Sequence, residues 1–170
     1  MRNQQRSLDC DIGWLAGMID GDGCIHIHYQ TRRGNKLQYQ PKTMIANRDI
    51  CVIDRVRAVL VRLGIGSYTQ ERKTAKGNPI FNIYISGFKR CKKLLPLIIP
   101  HLSSYKRERA LTVLAFIAYR ESLPNCKSPY SDVEHKLYER VKAITVDNPS
   151  PPRDQMPSAA LAVMLESELA

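Results

Sequence analysis

The chain has 170 residues, of which 44% are hydrophobic and 25% charged, and its formal net charge is +10. This length and hydrophobic content suffice for one domain with a sizeable core. No apolar run approaches the roughly 18 residues of a membrane span, and the N-terminus lacks the apolar segment of a signal peptide. These features argue against membrane and secreted proteins, so we expect an intracellular protein, cytoplasmic or organellar.

The positive charge is concentrated in the first 130 residues, which hold 22 Lys and Arg against 9 Asp and Glu. Residues 131–170 hold 4 Lys and Arg against 7 Asp and Glu and are therefore mildly acidic. A basic body indicates a polyanionic partner, and nucleic acid is the leading candidate. No basic amphipathic helix suggests a membrane surface. A generic basic surface, as in ribosomal proteins, remains the alternative for charge alone.

The cysteines and histidines predict neither a disulfide framework nor a zinc site. The chain has five cysteines without CxxC spacing, and we expect them to be reduced and mostly buried. The histidines show no ligand pair at helical spacing. His26 and His28 alternate along a predicted strand, where a surface or DNA contact is favoured over metal binding.

The chain is organised around residues 12–25, which read IGWLAGMIDGDGCI. On a helix this stretch has two distinct sides. The side without large side chains, here called the smooth side, is formed by Gly13, Ala16, Gly17 and Gly21. The apolar side is formed by Ile12, Leu15, Met18 and Ile19. Each glycine costs about 1 kcal/mol relative to alanine in a helix, so the smooth side favours close packing against another helix.

Two carboxylates, Asp20 and Asp22, lie at the predicted C-terminus of this helix. Negative charge is unfavourable there by roughly 0.3–1 kcal/mol unless a cation is nearby. Carboxylate and carbonyl oxygens are ligands that suit Mg²⁺. A solvated turn after a buried helix is the alternative interpretation.

Residues 15–23, LAGMIDGDG, resemble the nine-residue signature of the LAGLIDADG homing endonucleases. In that family the signature helix forms the interface between two similar halves, and the second acid binds the catalytic metals. The resemblance therefore implies that Asp22 is the metal-binding and catalytic acid, with the Gly21 carbonyl as a second ligand. It implies a dimer interface at Gly13, Ala16, Gly17 and Asp20.

The next segments predict two pairs of strands with a helix between them. Residues 24–30 alternate, with Ile25, Ile27 and Tyr29 on one side, and residues 36–45 form a second strand in which Pro41 favours an irregular or edge position. Asn47 or Asp49 caps a helix that runs to about Leu63 and ends at Gly64. Residues 67–73 and 79–85 form the second pair of strands.

The remainder is predicted to be helical. Ser86 caps a short helix over residues 87–95 that Pro96 stops, and a longer helix follows over residues 105–121. Ser131 and Glu134 form a capping box for a helix that runs to about Val146, and a final short helix covers residues 159–169. We expect a core domain at residues 1–125 and a C-terminal helical extension at residues 126–170.

This order of elements matches the resemblance, which covers roughly residues 10–121 and implies an α+β fold, αββαββα, whose four antiparallel strands form a DNA-binding saddle. The strand faces would supply side chains for base edges and phosphates. These predicted DNA-binding residues are His26, His28, Gln30, Arg32, Arg33, Gln38, Gln40, Lys42, Thr69, Glu71, Arg72, Lys73, Asn82 and Tyr84.

The resemblance also places two residues at the margin of the active site. Asn47 corresponds to a residue that orients water, and Lys106 to a lysine that stabilises charge on the scissile phosphate or helps activate water. The alternatives are a helix cap for Asn47 and an exposed first-turn lysine for Lys106.

The signature occurs once, and single-motif members of the family act as homodimers. We therefore expect a homodimeric, intron-encoded type of endonuclease that hydrolyses both strands of a long pseudo-palindromic DNA site with Mg²⁺ or another divalent cation. An RNA maturase that binds intron RNA, or a non-cleaving DNA-binding regulator, would keep the same scaffold without needing the acids. A basic interaction protein without catalysis is the remaining alternative.

Overall fold

The structure is a computed structural model that describes residues 2–32, 36–125 and 128–149. Its helices are α1 (Arg2–Asp22), α2 (Ile50–Arg62), α3 (Phe88–Ile98), α4 (Ser104–Ser122) and α5 (Asp132–Ala143). Its strands are β1 (Gly23–Arg32), β2 (Lys36–Asn47), β3 (Tyr68–Lys73) and β4 (Pro79–Ser86), and they form one sheet in the order β1-β2-β4-β3. The predicted α+β fold and its order of elements are confirmed.

The described residues divide into two compact units. The first contains the residues up to 24 together with residues 42–102, and the second contains residues 25–41 and those from 103 onward. The predicted boundary at residue 125 stays a prediction, and so does the helix at 159–169, which lies outside the described residues. In the part of the chain that the structure describes, no helix is long and apolar enough to cross a membrane.

The core of the first unit lies between the helices and one face of the sheet. On the apolar side of α1, Ile12, Leu15 and Ile19 are buried and Met18 is half-buried, and α2 buries the stripe that includes Ile53, Val56 and Leu60. Asp49 caps α2, because its side chain accepts a hydrogen bond from the Cys51 N–H at 2.8 Å. Gly64 follows with φ of 64°, a conformation that glycine adopts without strain.

The register of β2, β4 and β3 defines the two faces of the sheet in this unit. Thr43 pairs with Ile85 and Ile45 with Ile83, and all four side chains are buried. On the other face, Lys42 pairs with Ser86 and Met44 with Tyr84. Side chains at directly paired positions lie on the same face of a sheet. We call this second face the polar sheet face, and its residues are Lys42, Met44, Tyr68, Gln70, Arg72, Asn82 and Tyr84.

The second unit is held together by α4 and α5. The predicted capping box is present, with Ser131 and Glu134 each bonded to the other's backbone. Glu134 also pairs with Arg120 of α4 at 3.1 Å, and both side chains are buried. Arg109 donates to the Ile144 carbonyl at 2.8 Å, just beyond the end of α5. These contacts attach α5 firmly to α4.

The predicted edge position of Pro41 holds locally, because Pro41 lies just outside the stretch of β2 that pairs with β4. β2 is an unbroken strand and lies between β1 and β4 in the sheet. The pairing of β2 with β4 begins at Lys42, so the ladder to β4 requires no N–H from Pro41. A proline at that point is therefore compatible with an internal strand.

Two predicted helix boundaries are wrong. Ser86 belongs to β4, and α3 is preceded instead by Gly87, whose φ of 98° turns the chain. Pro96 lies inside α3, which continues to Ile98. Pro96 is on the exposed side of the helix, whereas Leu94 and Leu95 are buried, so packing outweighs the lost backbone hydrogen bond.

α5 ends at Ala143 rather than near Val146, because Thr145 and Asn148 exchange backbone hydrogen bonds in a turn. The expectation that the cysteines are mostly buried is also wrong. Cys91 is buried, Cys24 is half-buried, and Cys10 and Cys51 are exposed. These four are free thiols, whereas Cys126 lies outside the described residues.

Candidate active site at the end of the first helix

Asp22 is the last residue of α1, and its side chain is exposed. The glycine that follows it fixes this position. A Cβ on Gly23 would lie 2.6 Å from both Cα and O of Ile19, closer than real Cβ atoms approach backbone. The chain can therefore leave the helix and enter β1 at this angle only with glycine, and the carboxylate of Asp22 is presented at the exit.

A chain of three side-chain hydrogen bonds connects Asp22 to the start of α2. Asn47 Nδ2 donates to Asp22 Oδ2 at 2.8 Å, and Asn47 Oδ1 accepts from the Asp49 N–H at 2.9 Å. Asp49 in turn caps α2. The second bond fixes which side of the Asn47 amide faces the carboxylate. The helix-cap alternative for Asn47 is wrong, because Asp49 holds the cap and Asn47 bonds to the predicted catalytic acid.

The donors at this helix end suit a hard divalent cation only if other ligands join them. Among the residues that the structure describes, no group of three or more His, Cys, Asp or Glu side chains could hold a metal. The chain offers the Asp22 carboxylate and the carbonyl of Gly21, one of the last four carbonyls of α1, which the helix itself leaves without N–H partners. Mg²⁺ commonly takes one or two carboxylates together with phosphates and waters. The donor set fits a cation shared with a phosphate ligand.

The smooth side of α1 is open within this chain. A Cβ built at Gly13, Gly17 or Gly21 would meet no atom within 4 Å. Ala16, which was predicted to lie in the interface with them, is fully buried in its own unit, so that assignment is wrong. Asp20 is half-buried in the last turn. The open surface is therefore formed by the glycines.

Lys106 lies in the first turn of α4 in the second unit, and it is only 5% exposed. Its Nζ lies 5.7 Å from the centre of the Tyr105 ring. The alternative interpretation, an exposed first-turn lysine, is wrong. Its predicted catalytic role stays a prediction.

The register corrects the predicted DNA-facing residues on β3. Thr69 pairs with Ile83 and Glu71 with Phe81, so they lie on the opposite face from Asn82 and Tyr84. Thr69 also accepts a hydrogen bond from Arg57 of α2 at 2.8 Å, which places it on the helix side. Lys73 shares their face, whereas Arg72 lies on the polar sheet face.

Gln70, which the sequence analysis did not select, lies on the polar sheet face. It pairs with Asn82, is exposed, and accepts hydrogen bonds from Arg72 at 3.3 and 3.4 Å. The predicted residues Asn82 and Tyr84 are nearly buried. Tyr84 is covered by the stacked ring of Tyr68, centred 4.8 Å away, and by Lys42, whose ammonium lies 4.2 Å above the ring. The accessible groups of this face are therefore those of Lys42, Tyr68, Gln70 and Arg72.

The second unit contains the other predicted strand residues. His26 and His28 are half-buried, with ring centres 6.5 Å apart. Gln30 donates to Gln38 at 3.2 Å, which shows that their side chains share a face, and Gln40 follows Gln38 at the next position on that face. Nothing is described of Arg33 or of the Arg32 side chain.

Comparisons with known proteins agree with the signature. Residues 9–98 match the family model of a LAGLIDADG-like domain. The DNA endonuclease I-CvuI of Chlorella vulgaris is 30% identical over 123 residues, which cover 69% of this chain and 68% of that protein.

Solved structures share the fold. The structure of I-CvuI in complex with a DNA target, solved in the presence of Mg and with the DNA not cleaved, has a TM-score of 0.64 and 23% identity, and covers 95% of this chain and 97% of that chain. An archaeal intron-encoded homing endonuclease, I-Vdi141I, complexed with DNA, has a TM-score of 0.61 and 16% identity, and covers 95% and 99% of the two chains.

Proposed function

Because this chain belongs to the LAGLIDADG family of homing endonucleases, we propose that it is a site-specific endonuclease that cuts double-stranded DNA with a divalent cation held by Asp22. The observation that carries the proposal is the 2.8 Å hydrogen bond from Asn47 to Asp22 at the exposed end of the signature helix. An acid of purely structural use would not need a dedicated donor at a helix end open to solvent. The proposal includes an intracellular location, where such DNA is found.

Asp22 and the Gly21 carbonyl are the ligands that this chain would give to the cation. Asn47 occupies Oδ2 of Asp22, which leaves Oδ1 for the cation. When bound, a divalent cation supplies Lewis-acid chemistry by polarising the scissile phosphate. Mg²⁺ fits the donor set best, since the remaining positions fall to phosphate oxygens and water. The related I-CvuI was solved with DNA in the presence of Mg and in the presence of Ca, which supports a divalent cation at this site.

Two other residues are assigned supporting roles: one orients the Asp22 carboxylate, and the other stabilises negative charge on the phosphate. Asn47 holds the Asp22 carboxylate in one rotamer, because its own amide is fixed by the Asp49 N–H. A carboxylate that is already oriented loses less entropy when it binds a cation. Lys106, an ammonium withdrawn from water in its unit, would stabilise negative charge on the phosphate more strongly than an exposed lysine could.

DNA recognition is assigned to the polar side chains of both units. Gln30, Gln38, Gln40 and Gln70 offer amides for base edges, and Arg72 can contact guanine or phosphate. Lys42 is held over Tyr84 and suits a phosphate. In this proposal Gln70, rather than Thr69 or Glu71, is the β3 residue that contacts base edges.

We also propose that two copies form the active enzyme. The open glycine side of α1 allows a second helix to approach the backbone closely, as the single signature requires. One chain presents one Asp22, and cutting two strands needs two such carboxylates. Two-fold symmetry then implies a pseudo-palindromic target.

Selection from a randomised duplex DNA library tests the function. The library is incubated with the chain and Mg²⁺ or with EDTA, and the cut ends are sequenced. We expect one long site with two-fold related halves that is cut only with Mg²⁺. A single asymmetric site would contradict the homodimer, and recovery of bound but uncut DNA would contradict the nuclease and favour a regulator.

A further inference from the structure

An aromatic cluster supports the strand segments that carry Gln30, Gln38 and Gln40. We call it the aromatic clamp, and it consists of Tyr29 and Tyr39 from the strands with Tyr130, His135 and Tyr138 from the α5 region. The centre of the Tyr39 ring lies 5.1, 4.8, 5.3 and 4.9 Å from those of Tyr29, Tyr130, His135 and Tyr138. Tyr39 is only 1% exposed, so it is the centre of the clamp.

Three separate contacts hold Tyr39 from outside its own strand. Its hydroxyl forms a short hydrogen bond with Nδ1 of His135. The Tyr130 hydroxyl donates to the Tyr39 backbone carbonyl at 3.2 Å. Phe116 of α4 packs edge-on against its ring at 5.9 Å. The ring, the hydroxyl and the backbone of one strand residue are therefore all anchored by helical residues or by the segment that leads into α5.

The two residues next to Tyr39 are Gln38 and Gln40. Because side chains alternate along a strand, both project to the face opposite the clamp. Gln38 is further oriented by its hydrogen bond from Gln30 at 3.2 Å. The backbone that sets the direction of both glutamines is the segment that the clamp fixes.

The α5 side of the clamp is rigid. α5 begins with a complete capping box, and Glu134 at its third position forms a buried salt bridge with Arg120 of α4. His135 follows Glu134 directly in the chain. α5 also lies outside residues 9–98, the part that matches the family model.

We propose that α5 determines base discrimination without touching DNA, and that His135 is a positioning residue that acts through Tyr39 on Gln38 and Gln40. The inference rests on the proposed function, in which this strand face meets base edges. A glutamine amide that makes two hydrogen bonds to a base discriminates between bases only if it is held at the correct angle. A more mobile strand backbone should therefore reduce specificity before it abolishes binding.

The experiment measures binding to the selected target and to its single-base-pair variants. Gln38→Ala and Gln40→Ala first identify the positions that these residues read, and Gln70→Ala identifies positions read by the first unit. We expect His135→Phe and Tyr39→Phe each to reduce discrimination about fivefold at the Gln38 and Gln40 positions, the effect of one lost hydrogen bond. Discrimination at the Gln70 positions should be unchanged.

Three further measurements separate positioning from general stability. The double variant Tyr39→Phe/His135→Phe should be no worse than either single variant, because both remove the same bond. His135→Asn, which keeps an acceptor near the Nδ1 position, should restore most of the discrimination. Lys136→Gln, a change at the exposed neighbour of His135 on α5, should have no effect.

Amide hydrogen exchange of residues 38–40 tests the clamp without DNA, and we expect faster exchange in His135→Phe. Equal loss of discrimination at every target position, or unchanged exchange, would overturn the inference while leaving the nuclease intact. A wild-type chain that selects no site would overturn the proposed function, and with it the reading role of this face.

Discussion

At the scale of single residues, the Asp22 carboxylate is a charge in an unfavourable place. It ends a helix whose dipole opposes negative charge by roughly 0.3–1 kcal/mol. Asn47 offsets part of this unfavourable energy by donating one hydrogen bond to the carboxylate. A hydrogen bond to a charged acceptor contributes about 1.5–3 kcal/mol when it is buried, and less at an exposed site such as this one. The Asp22 carboxylate is therefore held in one orientation with Oδ1 available, which is what a cation ligand requires.

We predict that Asn47→Ala slows cleavage about 10- to 100-fold, the usual cost of removing a group that orients a metal ligand. Target affinity should change little, because Asn47 contacts Asp22 and the Asp49 backbone rather than a strand residue of the polar sheet face. Single-turnover cleavage and equilibrium binding measure the two effects. Asn78→Ala, at an exposed asparagine in the β3–β4 turn, is the matched control. Equal losses of binding and cleavage would contradict the orienting role.

At the scale of elements, glycines of two kinds lie in α1 and at its junction with β1. Gly17→Ala adds a Cβ in open space and should raise the stability of the isolated subunit slightly, by up to about 1 kcal/mol of helix propensity. Gly23→Ala adds a Cβ 2.6 Å from the Ile19 backbone and should cost about 1–3 kcal/mol through overpacking.

Urea unfolding of the two glycine variants below the concentration of self-association measures both changes. Light scattering at higher concentration should show weaker self-association for Gly17→Ala, since the added methyl group lies on the open side of α1. Equal destabilisation by both substitutions would contradict the assignment of Gly17 to an open surface.

The attachment of α5 to α4 depends on a buried ion pair. Arg120→Met leaves the Glu134 carboxylate buried without its partner, which costs about 3–5 kcal/mol. Lys142→Met removes an exposed, solvent-screened pair with Glu139 and should cost much less stability than Arg120→Met. Thermal unfolding compares the variants. Similar costs for both would show that the buried pair does not hold the helix.

The strands differ in how far their residues could be predicted. β1 and β2 alternate between apolar and polar residues, so the faces of Ile25, Ile27 and Gln38 followed from the sequence. β3 is exposed at nearly every position and has no apolar alternation. Its phase is set by pairing with β4, which is why Thr69 and Glu71 were placed on the wrong face and Gln70 was missed.

The candidate site shows a similar division. The signature located Asp22, and resemblance placed Asn47 near it. Whether the Asn47 amide caps α2 or binds the acid depends on a contact between residues 25 positions apart, which no local pattern contains. The burial of Lys106 is likewise a property of the folded unit and not of the first turn of a helix.

At the scale of the whole molecule, alkaline pH should reduce stability. Burial raises the pKa of the Tyr39 hydroxyl from 10.0 to about 12, and burial raises the pKa of the Cys91 thiol from 9.0 to about 12. Above their ordinary pKa values, the unfolded chain loses protons that the folded chain keeps. The contribution of these two groups to the free energy of unfolding is therefore complete below about pH 9 and is lost as pH rises towards 12.

Urea unfolding at about pH 8 and about pH 11 measures this loss of stability. The variant Tyr39→Phe/Cys91→Ala lacks both groups and should show a shallower decline than the wild-type chain. An equally steep decline in the variant would assign the effect to other groups.

Binding of a basic molecule to DNA should also depend strongly on salt. Each phosphate contact made by Lys or Arg releases counterions, so affinity falls steeply as salt rises. In the proposed function, the net charge of +10 would contribute to binding any DNA, whereas the glutamines of the strand faces would contribute to choosing one site.

The central claim is that Asp22 is the metal-binding acid of a DNA endonuclease, and one comparison tests it most directly. Cleavage and binding of the selected target are measured with Mg²⁺ for the wild-type chain, Asp22→Asn and Asp54→Asn. Asp54 is an exposed acid of α2 paired with Arg57, and it serves as the matched control. We predict that Asp22→Asn binds the target but does not cut it, while Asp54→Asn does both. Cleavage by Asp22→Asn at a rate near that of the wild-type chain would contradict the account.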